Sequence, residues 1–235
     1  MYRGLPLRPP IFEIGLKGYM YGETAVELAL EADRAAAEHG VTILFDPQYV
    51  DIPAVAQATA HILVFAQHMD PVTIGRGNGS VLPEALKAAG AHGTMLNHTE
   101  RPMTLSDIAR AIRRADEVGL LTVVSSDSPE QAAAVAQLRP NIVLAEPPEL
   151  IGGNVSVATQ MRDFVEQTAR LVAGVDPEVL VMCAAGIRTA ADVAAIVELG
   201  VGATGTTSGI TRAPDPIAAM WSMVAAMADA WKKRA

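Results

Sequence analysis

The sequence predicts an α/β protein whose strands and helices close into a (β/α)8 barrel. Short apolar runs alternate with longer, Ala-rich helical patterns from one end of the chain to the other. The alternation repeats eight times within 235 residues, the spacing of a closed barrel. No linker or low-complexity tract interrupts it, so we expect one barrel domain over residues 1–235, with a doubly wound open sheet as the alternative.

Each of the eight units begins with a predicted strand and continues into a predicted helix. The strands are short apolar runs rich in β-branched residues: 11–17, 41–45, 62–67, 93–98, 120–126, 141–146, 179–183 and 202–207. The helices keep a periodicity of about 3.6 residues, and Gly40 ends the first. They cover residues 24–39, 53–58, 80–90, 105–119, 128–138, 156–173, 189–200 and 214–233.

Composition excludes several classes of function. The formal net charge is −8, and no basic stripe is available to neutralise phosphates, so we expect neither nucleic acid nor an anionic membrane as a partner. No apolar run reaches the ~18 residues of a membrane span. The single cysteine, Cys183, cannot form an intrachain disulfide, which fits a reducing cytoplasm.

Polar residues follow the apolar strands of the predicted barrel. The carboxyl ends of barrel strands meet on one face, where chemistry is expected. His98, in the stretch GTMLNHTE, could be a solvated loop residue, but other polar residues are predicted at the same face, which favours a role in the site. The other predicted strand ends supply Lys17, Gln67, Ser125, Glu146, Thr207 and Ser208.

Two of these groups have side chains suited to catalysis. Period-2 alternation places Glu13, Gly15 and Lys17 on the inward face of the first strand, where Lys17 could stabilise an oxyanion or a phosphate. Glu146 ends a buried strand, so partial desolvation would raise its pKa toward that of a useful base. A helix-capping or ion-paired glutamate is the alternative.

Glycine-containing turns follow the last three predicted strands. Their sequences are IGGN (151–154), AAGIRTAAD (184–192) and TTSGITRAPD (206–215). Small residues let backbone N–H groups approach an anion, and helix N-termini favour negative charge. Three such turns in consecutive loops predict a phosphate site.

The motifs in combination resemble the triosephosphate isomerase family, most closely its shorter archaeal-type branch. The chain has FAQHMDP at 65–71, LNHTE at 96–100 and EPPELIGGN at 146–154, together with Lys17. The resemblance runs from the first strand to the last helix and implies a TIM barrel. It implies an aldose–ketose isomerase working through an enediol, with glyceraldehyde 3-phosphate and dihydroxyacetone phosphate as the substrate pair.

The resemblance also implies roles for individual residues. Glu146 would be the base, and His98 a neutral electrophile that polarises the carbonyl; these two roles are known from that family's enzyme. Lys17 would stabilise negative charge and pair with Glu100. The loop beginning PPELIGGN would close over the substrate. Phosphate donors would be the backbone N–H groups of four residues: Gly152, Gly186, Thr207 and Ser208.

The first strand departs from the family pattern. The family has Asn-x-Lys where this chain has Gly15-Leu16-Lys17, and Glu13 stands where an apolar residue is usual. We expect the buried Glu13 to be hydrogen-bonded, paired or protonated. Gly15 would open room for another carbon. A paralogue with a changed substrate, such as a tetrulose phosphate like erythrulose phosphate, is therefore the alternative.

Two other functions stay open, a Schiff-base synthase or aldolase using Lys17 and a non-catalytic sugar-phosphate-binding barrel. We expect no metal and no cofactor, since the five histidines show no ligand spacing and no dinucleotide fingerprint occurs. Apolar residues in the loops after strands one and three predict a homo-oligomer, a dimer or a tetramer.

Overall fold

A computed structural model describes residues 1–147 and 162–234, which form eight parallel strands alternating with helices in a barrel. The strands are β1 (Ile11–Gly15), β2 (Thr42–Asp46), β3 (Leu63–Ala66), β4 (Gly93–Leu96), β5 (Leu121–Ser126), β6 (Ile142–Ala145), β7 (Leu180–Cys183) and β8 (Ala203–Thr206). The predicted (β/α)8 fold is confirmed.

At least one helix follows each strand. They are α1 (Glu23–His39), α2 (Ile52–Ala58), α3 (Pro83–Ala88), α4 (Leu105–Val118), α5 (Pro129–Ala136), α6 (Arg162–Val175), α7 (Ala190–Glu198), α8 (Ser208–Thr211) and α9 (Pro216–Lys232). Gly40 ends α1 in the left-handed conformation, as the sequence predicts. The predicted start of the sixth helix near Ser156 lies outside the described residues.

All eight strands differ from their predicted bounds by one or two residues, and the differences at the ends of β1 and β2 affect the carboxyl face. Strand β1 ends at Gly15 rather than Lys17, because Lys17 has a φ of 47° and leaves the extended conformation. Strand β2 runs one residue further than predicted and ends at Asp46. Asp46 pairs in register with Gly15, so its side chain lies beside the end of β1.

The barrel closes between β7 and β8 through a side chain. The strands are hydrogen-bonded in the order β7-β6-β5-β4-β3-β2-β1-β8, with β7 and β8 at the ends of the sheet. Thr204 Oγ1 on β8 donates a hydrogen bond of 2.7 Å to the carbonyl of Cys183 on β7. This contact holds the last two strands side by side, and Cys183 is buried there.

Alternate residues of each strand belong to two separate apolar layers. On β1, Phe12 and Ile14 pack outward against the helices, whereas Ile11 packs inside the barrel. The interior is filled by side chains from all eight strands or their immediate ends: Ile11, Leu44, Phe65, Met95, Leu121, Val123, Ile142, Leu144, Met182, Ala184 and Ala203. The barrel is therefore a packed core with room for chemistry only at its ends.

The amino-terminal segment covers the end of the barrel opposite the polar strand ends. Tyr2, Leu5 and Leu7 pack against the interior cluster, and Asn141 Nδ2 donates to the Tyr2 carbonyl at 2.8 Å. No local pattern in the sequence predicts this contact. Within residues 1–147 and 162–234, every helix is too short or too polar to cross a membrane.

Candidate active site

A cavity of about 590 Å³ opens at the carboxyl ends of the strands. Residues distant in sequence converge on it, because parallel strands bring their carboxyl ends to one face. Every predicted site residue within the described chain lines this cavity: Glu13, Gly15, Lys17, His98, Glu100, Glu146, Gly186, Thr207 and Ser208. The remaining predicted residue, Gly152, lies outside the described residues.

Lys17 is held at the cavity by contacts to both its backbone and its side chain. Its carbonyl accepts hydrogen bonds from the amides of Gln48 at 2.5 Å and Gln67 at 2.9 Å. These bonds fix a residue whose left-handed conformation is costly for a non-glycine residue. Its Nζ contacts Glu100 Oε1 at 2.7 Å, the ion pair that the resemblance implies. The Lys17 ammonium is therefore positioned with one carboxylate partner.

His98 is held as one neutral tautomer. The backbone N–H of Glu100 donates to His98 Nδ1 at 3.1 Å, so Nδ1 must keep its lone pair and Nε2 carries the proton. Burial lowers the pKa of His98, and the nearby Lys17 ammonium lowers it further. A neutral imidazole with a free Nε2–H can donate a hydrogen bond to a carbonyl oxygen in the cavity.

Glu146 is a buried carboxyl group at the end of β6. Burial raises its pKa to about 7, with the positive charge of Lys17 acting against the shift. With a pKa of about 7, the carboxylate is basic enough to act as a general base. A large fraction of it is still ionised at neutral pH. The ion-paired alternative raised by the sequence does not fit, because it is Glu100 that pairs with Lys17.

The turns after β7 and β8 meet through Thr206. Its hydroxyl donates to the Ile187 carbonyl at 2.6 Å and accepts from the Gly209 N–H at 3.1 Å. Gly186, which has a φ of 71°, thereby lies near the start of α8 at Ser208. The arrangement brings the small residues of both turns to one side of the cavity, where backbone N–H groups can serve an anion.

A second carboxyl group, Asp46, lies next to Glu13 in the cavity wall. Asp46 Oδ1 is buried and has no hydrogen-bond partner among the described residues, and a proton shared with Glu13 would satisfy it. Burial raises the pKa of both, that of Asp46 to about 7 and that of Glu13 well above its ordinary value, and the charge of Asp46 adds to the shift of Glu13. That Glu13 is hydrogen-bonded, paired or protonated stays a prediction, and the raised pKa of this buried carboxyl is in keeping with it.

Comparison with known proteins gives the family. The family model described as "Triosephosphate isomerase" matches residues 10–215. The chain belongs to the triosephosphate isomerase family. It is 42% identical to the triosephosphate isomerase of Methanobacterium bryantii, over 92% of this chain and 96% of that protein. It is 38% identical to that of Methanothermus fervidus, over 93% and 99%.

One expectation drawn from the family pattern is wrong. Gly15, in place of the asparagine of triosephosphate isomerases, was expected to open space in the wall. Instead the Glu13 carboxyl fills that space, since Glu13 Oε1 lies only 2.5 Å from the point a Cβ on residue 15 would occupy. The two departures in β1 are therefore one structural change, because the glutamate needs the glycine.

Sequence reasoning missed Asp46 as a site residue. Leu44, two residues earlier, packs inside the barrel, so period 2 directs Asp46 inward as well. Because the predicted strand ends at Phe45, one residue too early, the alternation was not applied to Asp46. Gln48 and His68 also line the cavity. His68 binds Asp70 Oδ1 through Nε2 at 3.2 Å, a tertiary contact that no local pattern predicts.

Proposed function

We propose that this protein interconverts glyceraldehyde 3-phosphate and dihydroxyacetone phosphate through an enediol, the reaction named for its relatives. The observation that carries the proposal is the convergence of a lysine, a neutral histidine and a glutamate with a pKa of about 7 on one cavity. Such a set fits proton abstraction beside a carbonyl.

In the proposed mechanism Glu146 takes the proton from the carbon next to the carbonyl and returns it to the neighbouring carbon. As that proton leaves, negative charge grows on the carbonyl oxygen. The Nε2–H of His98 donates to this oxygen, and the Lys17 ammonium stabilises the charge. His98 then gives this oxygen a proton and takes the proton of the neighbouring hydroxyl, so that the alcohol and the carbonyl change places. Glu100 keeps the ammonium in place without itself touching the reacting atoms.

The phosphate of the substrate would lie at the turns carrying Gly186, Thr207 and Ser208. Backbone N–H groups at a helix start bind anions without adding side-chain charge, so a net charge of −8 is compatible with an anionic substrate. The predicted contribution of Gly152 and the predicted closure of the PPELIGGN loop fall outside the described residues and remain part of the proposal.

A triose phosphate is favoured over a tetrulose phosphate. The tetrulose alternative depended on free space beside Gly15, and the Glu13 carboxyl fills that space. The relatives are also named for the triose. A Schiff base at Lys17 is disfavoured because Nζ is held in an ion pair with Glu100 rather than free to attack a carbonyl carbon.

The test is a coupled assay with each triose phosphate and with D- and L-erythrulose phosphates as competing substrates. We expect kcat/KM to be largest for the triose phosphates, and Glu146→Gln to lower it about 10³-fold while the fold remains. Greater turnover of a tetrulose phosphate would identify the paralogue, and binding without turnover of any sugar phosphate would identify a non-catalytic barrel.

We also propose a homo-oligomer in the cytoplasm. Large apolar side chains are exposed on the loops that follow β1, β2 and β3, among them Tyr21 at 71% exposure, Val50 at 83% and Ile74 at 75%. Exposed apolar groups gathered on neighbouring loops are typical of interaction surfaces. Light scattering coupled to size-exclusion chromatography distinguishes a monomer, which would contradict this proposal, from a dimer or tetramer.

A further inference from the structure

The Glu13 carboxyl is fixed in the cavity wall by three neighbours. A Cβ on Gly15 would lie 2.5 Å from Glu13 Oε1, and a Cβ on Gly205 of β8 would collide with Oε2. Asp46 on β2, in register with Gly15, lies beside the same carboxyl. Strands β1, β2 and β8 thus each supply a residue that leaves room for this group or binds it.

The position of this carboxyl is a substrate-facing one. Residue 15 points into the barrel by the alternation of β1, and Oε1 occupies the space that a side chain there would take. The same point lies 3.0 Å from Thr207 Oγ1, beside the proposed phosphate turns. Glu13, Gly15, Asp46 and Thr207 all line the cavity. A bound sugar phosphate would therefore meet Oε1.

The hydrogen-bonding state of the pair determines what it can bind. Asp46 Oδ1 is buried and, among the described residues, has no hydrogen-bond partner, so we infer that a carboxylic proton on Glu13 satisfies it. A proton shared between Glu13 and Asp46 cannot be donated to a ligand. The other oxygen of Glu13 remains as an acceptor, and its complement on a ligand is a hydroxyl group.

The charge of the surroundings supports a neutral Glu13. Three charged groups act on it, namely Asp46, Glu146 and Lys17, and only the last is positive. A second ionised carboxyl here would repel both its neighbours and a phosphate close to Thr207. A protonated carboxyl in the same place can contact an anionic sugar phosphate without that penalty.

We propose that Glu13 is a substrate-contacting residue, accepting a hydrogen bond from a hydroxyl of the sugar phosphate, and that Asp46 is the residue that positions it. This proposal rests on the proposed sugar-phosphate site, which it deepens by assigning hydroxyl recognition to a wall residue. The pair selects phosphate esters that carry a hydroxyl over esters of the same length that lack one.

The experiment compares two inert ligands, glycerol 3-phosphate and n-propyl phosphate, by calorimetry. They share a phosphate and a three-carbon chain and differ in their hydroxyls. We expect the wild type to prefer glycerol 3-phosphate by about tenfold, the ratio that corresponds to one hydrogen bond. Because neither ligand isomerises, the result is independent of catalytic activity.

Three variants separate recognition from structure. Glu13→Met keeps the length of the side chain and removes the acceptor, so the preference should fall several-fold while propyl phosphate still binds; His98 and Lys17 account for the part that remains. Glu13→Gln can donate to Asp46 and accept from the ligand, so it should retain most of the preference. Thr94→Val, a near-isosteric change of a buried β4 side chain that faces away from the cavity, should change nothing.

The outcomes distinguish this proposal from the proposed function. An unchanged ratio in Glu13→Met, with both affinities lowered equally, would show that Glu13 is only structural. If Glu13→Met does not fold, Glu13→Ala is measured in its place with the same criterion. A wild type that shows the preference but isomerises no triose phosphate would retain the hydroxyl site and lose the isomerase.

Discussion

The two ends of the barrel interior are built from the same strands but differ in the polarity of the side chains that point inward. At the amino end, Leu121 and Ile142 begin their strands as buried apolar residues, and the segment carrying Tyr2 covers them. At the carboxyl end, Glu13, Asp46 and Glu146 are buried carboxyls. One end thus stabilises the fold, and the other holds groups whose burial costs stability and prepares chemistry.

The largest expected effect comes from exchanging one residue at each end. Glu146→Gln removes the base, so kcat/KM should fall about 10³-fold, within the range for lost general-base catalysis. Leu121→Ala should instead leave kcat/KM within a few-fold and lower the free energy of unfolding by about 2–5 kcal/mol. Steady-state kinetics and urea denaturation of both variants measure the two effects. Loss of activity in Leu121→Ala without loss of stability would contradict the claim that the amino end of the barrel serves stability rather than catalysis.

Two histidines at opposite ends of β4 allow a second test of the difference between the two ends of the barrel. His92 and His98 both accept a backbone N–H at Nδ1, from Val64 and Glu100 respectively, and burial lowers the pKa of both. Only His98 lines the cavity. His98→Gln should lower kcat about 10²-fold. His92→Gln should cost about 1 kcal/mol of stability and little activity. Comparable kinetic losses in the two variants would argue against a role specific to His98.

The pH profile offers a smaller effect with a defined sign. The raised pKa of Glu146, about 7, means that the base is protonated below that pH. We expect kcat/KM to fall about tenfold per pH unit below about 7 and to level off above it. Asp46 also has a pKa of about 7, so the profile is repeated with Asp46→Asn. An acid limb that disappears in this variant would assign the limb to Asp46.

The smallest effect concerns stability at the carboxyl end. Burial raises the folded-state pKa of Glu13 above its unfolded value, so its protonated form stabilises the fold below about pH 4. That contribution is lost as pH rises through the raised folded pKa. Glu13→Gln does not titrate, so its Tm should exceed that of the wild type by several °C at pH 8 and by less at pH 5. An equal difference at both values would show that Glu13 is not protonated on folding.

Much of the fold and site could be predicted because both depend on local patterns. The alternation of strand and helix periodicities is sufficient to predict the barrel. Parallel strands then bring Lys17, His98 and Glu146 to one face, although they are far apart in sequence. Period 2 alone oriented Glu13 and Gly15 inward. These inferences needed only the repeat and the rule for parallel strands.

The remainder depended on contacts between distant residues. That the Glu13 carboxyl occupies the space above Gly15 could not be read from β1, because the absence of a side chain on Gly205 and the presence of Asp46 decide where it lies. The covering of the amino end by Tyr2 likewise depends on Asn141. Such contacts are set by packing across strands, which no single segment encodes.

The central claim is that Glu146, His98 and Lys17 act together on one substrate by proton abstraction. It is tested most directly by running the wild type and Glu146→Gln with dihydroxyacetone phosphate in D2O and examining the product by NMR. We predict glyceraldehyde 3-phosphate carrying deuterium at C2 from the wild type, since the proton held by Glu146 can exchange with solvent before it is returned, and conversion about 10³-fold slower by the variant. Conversion without deuterium, or equal conversion by both proteins, would contradict the claim.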